Sequence, residues 1–319
     1  MSLSKPIIAV TMGDPAGVGP ELCLHLLANR EIEGICEAVI FGDLGVLRAA
    51  AEKTGLPMPQ ADRLRDCGAI SMEDFQYGCV SAKTGRAGYT YVEESIQSAL
   101  SGEIDGVATN PLNKEALHQA GVPYPGHTEM FADQTGTAGF CMLQYSDAVT
   151  CSFVTCHVGY HEVPKRITTE RIFEVIELTR EALLRIRNRE PKLVVLGLNP
   201  HAGENGLFGE REEERFILPA VEQAKQLGRN LEGPIPPDTA FIESRRATSD
   251  AFICMYHDQG HIPLKALAFD TAVNTTLGLP FPRTSVDHGT ALDIAWQGRA
   301  NPSSLFEAVK LNVLLCARK

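Results

Sequence analysis

Seven short apolar runs punctuate the chain, PIIAVTM, EAVIFG, DGVATN, FCMLQY, TCSFVTC, KLVVLGLN and DAFICMY, and they constrain its fold more than any other feature. Each is far shorter than a membrane span and most are bounded by Gly, Pro or polar residues, which is the pattern of buried strands. Between several of them the apolar spacing becomes helical. Ile172, Val175, Ile176, Leu183 and Ile186 fall on one helical face, and Ile217, Ala220, Val221 and Ala224 on another. Strands alternating with helices predict an α/β chain with a largely parallel sheet covered on both faces. The unit is plainest at the start: strand PIIAVTM, glycine-rich turn GDPAGVG, then helix PELCLHLLAN with Pro20 in its first turn. Gly13, Gly17 and Gly19 match neither G-x-G-x-x-G nor a P-loop. The turn reads equally as a bend that needs glycine and as a helix N-terminus able to hold an anion.

At 319 residues the chain suffices for two ordinary domains or one large one, and it carries no internal repeat, low-complexity tract or obvious linker. A formal net charge of -11 argues against a general nucleic-acid surface, so any bound anion needs positive charge concentrated locally. The absence of both a membrane-length apolar run and a signal-peptide pattern at the N-terminus predicts a cytoplasmic protein with no membrane partner. Nine cysteines without a C-x-x-C pair predict reduced, mostly buried thiols.

Three of the apolar runs are followed by histidine: His157 after FVTC, His201 after VVLGLNP and His257 after FICMY. In α/β proteins the carboxyl ends of strands are where ligands bind, and three imidazoles brought there suit a shared divalent metal. Imidazole favours zinc, cobalt or iron, whereas an added carboxylate such as Asp238 in PPDTAF and substrate oxygens would let magnesium compete. His25 and His118 lie in helical patterns and read as structural; His127, His161, His261 and His288 sit in loop-like sequence and stay open. Lys265, Asn274 and Arg283, spaced nine apart, and His127 with Thr128 in PGHTE have the chemistry to hold carboxylate or phosphate oxygens.

The stretch SVDHGTALDIAWQGRANPSSL resembles the adenosine-binding segment of isocitrate and isopropylmalate dehydrogenases. Together with GDPAGVGPE, NPLNKEALHQAG, YPGHTE, LNPHAGENGLFGE, PPDTAF and MYHDQGHIPLK, it is similar to the motif series of the 4-hydroxythreonine-4-phosphate dehydrogenase family, over nearly the whole chain. The resemblance implies two α/β/α domains of the isocitrate/isopropylmalate dehydrogenase type with the active site in the cleft between them. Domain 1 would comprise residues 1–123 plus 272–319 and domain 2 residues 124–271. It further implies a homodimer with shared active sites. The metal ligands His157, His201 and His257 would be contributed across the dimer, the substrate would lie on His127, Thr128, Lys265, Asn274 and Arg283, and the cofactor on His288, Gly289, Asp293 and Asn301. Asp293 stands where an acidic residue accepts the ribose hydroxyls; a carboxylate there repels a 2'-phosphate and favours NAD over NADP. Leu292 and Trp296 depart from that segment's usual Pro and Gly.

The activity so implied is NAD- and metal-dependent oxidative decarboxylation of a small phosphorylated hydroxy acid. The strings PLNKEALH, NPHAGENGLFGE, HDQGHIPLK and DIAW resemble the branch acting on D-threonate and D-erythronate 4-phosphate more than the vitamin B6 branch. Lys114 and Asp238 are the candidate general bases, with a helix-capping role equally open for the lysine. A metal-dependent phosphohydrolase would use the same histidines and anion clamp without Asp293. A non-catalytic metabolite sensor would need only the clamp.

Overall fold

The computed structural model describes residues 5–58, 60–268 and 272–316. Its strands are β1 (Ile7–Thr11), β2 (Glu37–Gly42), β3 (Leu64–Asp66), β4 (Gly106–Thr109), β5 (Cys141–Tyr145), β6 (Cys151–Phe153), β7 (Leu193–Leu196), β8 (Leu231–Ile235), β9 (Ala251–Cys254), β10 (Val273–Leu277) and β11 (Arg283–Ser285). All seven apolar runs contain one of them. The other four, β3, β8, β10 and β11, are too polar or too short for the apolar pattern to mark.

The chain forms two compact units, one from residues up to 138 and from 279 onward, the other from 139–278. In the first, five strands are ordered β3-β2-β1-β4-β11 and every pair is parallel. Ile8 to Thr11 of β1 and all of β4 are buried residue after residue. Because successive side chains of a strand point to opposite faces, unbroken burial means that both faces are covered. The helix Ala82–Leu100 packs on β1, β2 and β4, its start capped by Ser81, whose Oγ accepts the Thr84 amide at 3.2 Å.

The glycine-rich turn after β1 is a packing device. A side chain on Gly19 would place its Cβ 1.9 Å from the Met12 carbonyl oxygen, and one on Gly13, at φ +75, 2.5 Å from that of Pro111. The helix Gly19–Leu27 begins buried, so of the two readings of this turn the structure supports the tight bend. The turn also holds the C-terminal segment. The Val18 amide donates to Thr290 O at 3.0 Å, and fully buried Glu21 accepts the Ala300 amide at 2.8 Å and the Gly298 amide at 3.2 Å.

In the second unit the order is β10-β5-β6-β9-β7-β8. Here the expectation of a largely parallel sheet needs correction for one strand, because β5 runs antiparallel to both neighbours. Its link to β6 is a tight turn in which Ser146 Oγ donates to Val149 O at 2.7 Å and accepts the Val149 amide at 3.1 Å, and a connection that short joins antiparallel strands only. The helix Thr169–Arg187 buries Ile172, Val175, Ile176 and Leu183, with Ile186 half-buried at its end, and closes on Asn188 at φ 52. Ile217, Ala220, Val221 and Ala224 are likewise buried, on the turn Glu213–Ile217 and the helix Leu218–Gln226. No helix among the described residues is long and apolar enough to cross a membrane.

Candidate functional site

In the second unit β6 and β9 are parallel neighbours in register, Phe153 opposite Cys254. Their ladder runs on past both strands through the amides of Val154 and Thr155, which donate to Cys254 O and Met255 O at 2.8 and 3.2 Å. Both chains therefore leave the sheet together, and His157 and His257 emerge side by side with ring centroids 5.7 Å apart. Ligand atoms of Cys156, His157 and His257 all lie within 4.8 Å of one another. Around them opens a cavity of about 290 Å³, lined by Thr155, Tyr160 and Asp258 among others.

The surroundings of His257 fix how it can act. Its Nδ1 is 2.7 Å from Asp258 Oδ1, and Asp258 Oδ2 accepts the Tyr160 hydroxyl at 2.5 Å. The Tyr160 hydroxyl and the imidazole hold the Asp258 carboxyl below its usual pKa. With Nδ1–H donating to a carboxylate, the neutral imidazole keeps its lone pair on Nε2, as carboxylates behind metal-bound histidines dictate. The His261 ring stacks on His257 at 3.8 Å and 8°, with Phe153 4.5 Å beyond, and its Nδ1 lies 3.0 Å from His257 O. Burial pushes the His261 pKa down to about 4, against the contrary pull of that carbonyl, so this ring is neutral at ordinary pH.

His201 stands outside this group of ligand atoms. It is exposed, and it opens a run of five residues, to Asn205, with φ of 54, 52, 81, 44 and 56. Left-handed backbone costs about 1–2 kcal/mol for each residue other than glycine, so such a turn persists only where its surroundings enforce it. Two buried carboxylates do so. Glu213 accepts the Leu198 and Asn199 amides at 2.9 and 2.7 Å, and Glu212 the Asn199 side-chain amide at 2.9 Å. His157 is also left-handed, at φ 45.

On the same unit Asn274 lies in β10 opposite Gln144 of β5, each with a buried side-chain oxygen lacking a hydrogen-bond partner; Gln144 Nε2 is 3.5 Å from His261 Nε2. Half-buried Lys265 lies two helical turns beyond His257, its pKa lowered by burial. A second polar group belongs to the first unit. His127 and Thr128 open the helix His127–Gln134 rather than a loop, and Arg283 projects from β11 beside the end of β4. Arg283 is 1% exposed; its Nη2 donates to Thr109 Oγ1 at 2.6 Å and its guanidinium lies 5.4 Å from the Phe131 ring centre. Burial lowers its pKa to about 9, opposed by Glu129, which leaves it charged at neutral pH. His127 is only half-buried as a residue, but its Nε2 is closed off without a partner. Burial first, and the Arg283 charge second, push its pKa well below the usual value. A neutral imidazole, a buried cation and a helix N-terminus are groups whose chemistry suits an anion.

In the C-terminal segment His288 and Asp293 are exposed. The His288 Nδ1 lies 2.9 Å from Gly289 O, and a Cβ on Gly289 would meet nothing within 4 Å. Packing therefore does not demand this glycine, and close approach of a ligand would. Trp296 takes the φ of 60 that suits the glycine of the dehydrogenase segment, and it is 2% exposed with Tyr77 stacked on it at 5.1 Å. Asn301 Oδ1 accepts the Ser303 amide and hydroxyl at 3.1 and 2.7 Å, which starts the helix Ser303–Cys316. Lys114 is the exposed first residue of the helix Lys114–Gln119, whose cap is Asn113, and Asp238 is exposed in the short helix Pro237–Ala240. Neither lines the histidine cavity. Cys156, Gln144 and Glu129 are not singled out by the sequence, since each acquires its place through a cross-strand or helix-turn neighbour, and Asp258 stands out there only as a charge beside His257.

The profile of the family described as pyridoxal phosphate biosynthetic protein PdxA matches residues 34–312. A D-threonate 4-phosphate dehydrogenase from Cupriavidus necator is 40% identical over all of both chains. A 4-hydroxythreonine-4-phosphate dehydrogenase from Geobacter metallireducens is 42% identical over 97% of this chain and 95% of its own. The crystal structure of a 4-hydroxythreonine-4-phosphate dehydrogenase from Klebsiella pneumoniae matches with a TM-score of 0.87 at 38% identity, covering 99% of each. The fold is that of the isocitrate/isopropylmalate dehydrogenase type, shared with a β-decarboxylating dehydrogenase from Thermococcus kodakarensis at a TM-score of 0.52 and 15% identity.

Proposed function

This chain belongs to the family of the pyridoxal phosphate biosynthetic protein PdxA, and on that premise we propose that it oxidises and decarboxylates D-threonate or D-erythronate 4-phosphate with NAD and a divalent metal. The observation that carries the reading is the strand-end group of His157 and His257, with Asp258 behind the latter. Two imidazoles and a thiol suit zinc or cobalt, and substrate oxygens would let magnesium compete. A partner copy would bring His201 to complete the set. Such a metal, when bound, supplies a Lewis acid that lowers the pKa of the substrate alcohol and stabilises negative charge on its oxygen.

The chain's own residues then bind and orient. Arg283, His127 and Thr128 hold one anionic end of the substrate, with Lys265 and Asn274 as further contacts. A base takes the proton of the alcohol beta to the carboxylate while its C–H hydride passes to NAD. Lys114 and Asp238 are the candidates, and their exposure leaves them open to solvent for proton release. The resulting beta-keto acid loses carbon dioxide, the C–C bonding pair is left on the alpha carbon, and protonation there gives dihydroxyacetone phosphate. His288, Gly289, Asp293 and Asn301 would line the cofactor, where Asp293 accepts the ribose hydroxyls.

Two results are expected. NADH formation should be more efficient with the two sugar-acid phosphates than with 4-hydroxythreonine 4-phosphate; the reverse order would place the chain in the vitamin B6 branch. Trp296 is the chain's single tryptophan and lies three residues after Asp293, so its fluorescence should report cofactor binding. NADP should bind at least about tenfold more weakly than NAD, since it loses the ribose hydrogen bonds and sets a phosphate against a carboxylate. Asp293→Lys should narrow the difference, and equal affinities in the wild type would remove Asp293 from the cofactor site.

A further inference from the structure

The geometry points to Cys156 Sγ as a metal ligand beside His157 and His257, which makes this pocket a site for a thiophilic divalent cation. The inference rests on reading the two histidines as ligands. In extended backbone the side chains of residues 156 and 157 would point to opposite faces. The left-handed φ of 45 at His157 breaks that alternation, and ligand atoms of both residues come within 4.8 Å of each other and of one on His257. Cys156 is half-buried and adjoins the Met142 sulfur at 3.8 Å, so the thiol sits against a soft, polarisable wall rather than in open water.

A sulfur ligand changes what the site prefers. Thiolate selects zinc, cadmium or cobalt and adds nothing for magnesium, which takes oxygen ligands. Binding converts the Cys156 thiol to thiolate, and its proton passes to solvent as the metal–sulfur bond forms. Cys156→Ser should therefore weaken zinc binding by about a hundredfold while leaving magnesium binding unchanged.

The test is cobalt(II) titration of the full chain, followed by absorption spectroscopy. Wild type should develop visible d–d bands together with a near-ultraviolet sulfur-to-cobalt charge-transfer band. Cys156→Ser should keep the first and lose the second, and His257→Ala should lose both. Visible bands without the sulfur band in wild type, or a sulfur band unchanged in Cys156→Ser, would overturn the cysteine ligand and leave the histidine reading standing. No cobalt bands in wild type would overturn both. The wild-type spectrum is decisive even if a variant folds poorly.

Discussion

His257→Ala is expected to lower kcat/KM by about a thousandfold or more while leaving the fold intact. The metal is asked to supply several kcal/mol of charge stabilisation as the alcohol loses its proton, and about 4 kcal/mol corresponds to a thousandfold in rate. The side chain is 39% exposed, so its removal takes little from the core. His201→Ala should behave alike if a second copy brings that histidine to the site. Mixing the two variants should then restore about a quarter of wild-type activity, because a two-fold dimer formed at random carries one intact site in half of its molecules. Wild-type turnover by His257→Ala after thorough chelation would show that the histidine group has no part in the chemistry.

Arg283→Ala should raise KM for the phosphorylated acid by tenfold or more with little change in KM for NAD. Charge-assisted hydrogen bonds contribute about 1.5–3 kcal/mol each, and about 1.4 kcal/mol is a factor of ten. Arg283→Lys should recover only part of the loss, because an ammonium keeps the charge but lacks the two-pronged donor geometry, and the guanidinium's contact with the Phe131 ring is lost. Burial lowers the Arg283 pKa, but the guanidinium stays charged, so the effect should persist across the working pH range. An Arg283→Ala enzyme that bound the acid normally but lost NAD affinity would move this residue to the cofactor.

The strands that could be read in advance are those whose burial is carried by apolar side chains, such as β7 with Leu193, Val194, Val195 and Leu196 all buried. Strand β11, Arg-Thr-Ser, is as deeply buried, but its central hydroxyl is satisfied by partners distant in sequence: Thr284 Oγ1 donates to Ala308 O at 2.7 Å and accepts from Asn312 at 3.1 Å. No local pattern announces such a strand. The same holds at the site. Histidines after strands show in one sequence, whereas Cys156 beside His257 depends on the register of β6 against β9 and on one left-handed residue. His127 looked like a loop residue because Gly126, with φ 179, caps the following helix without a side chain to mark it.

The most direct measurement follows NADH absorbance, carbon dioxide and inorganic phosphate together, using the full chain with NAD, D-threonate 4-phosphate and magnesium, cobalt or zinc. NADH and carbon dioxide should appear in equal amounts, phosphate should stay on the product, and chelation should stop both. Release of inorganic phosphate without NADH would make the same histidines those of a phosphohydrolase, and binding of the acid with neither product would make the chain a sensor; either result contradicts the dehydrogenase.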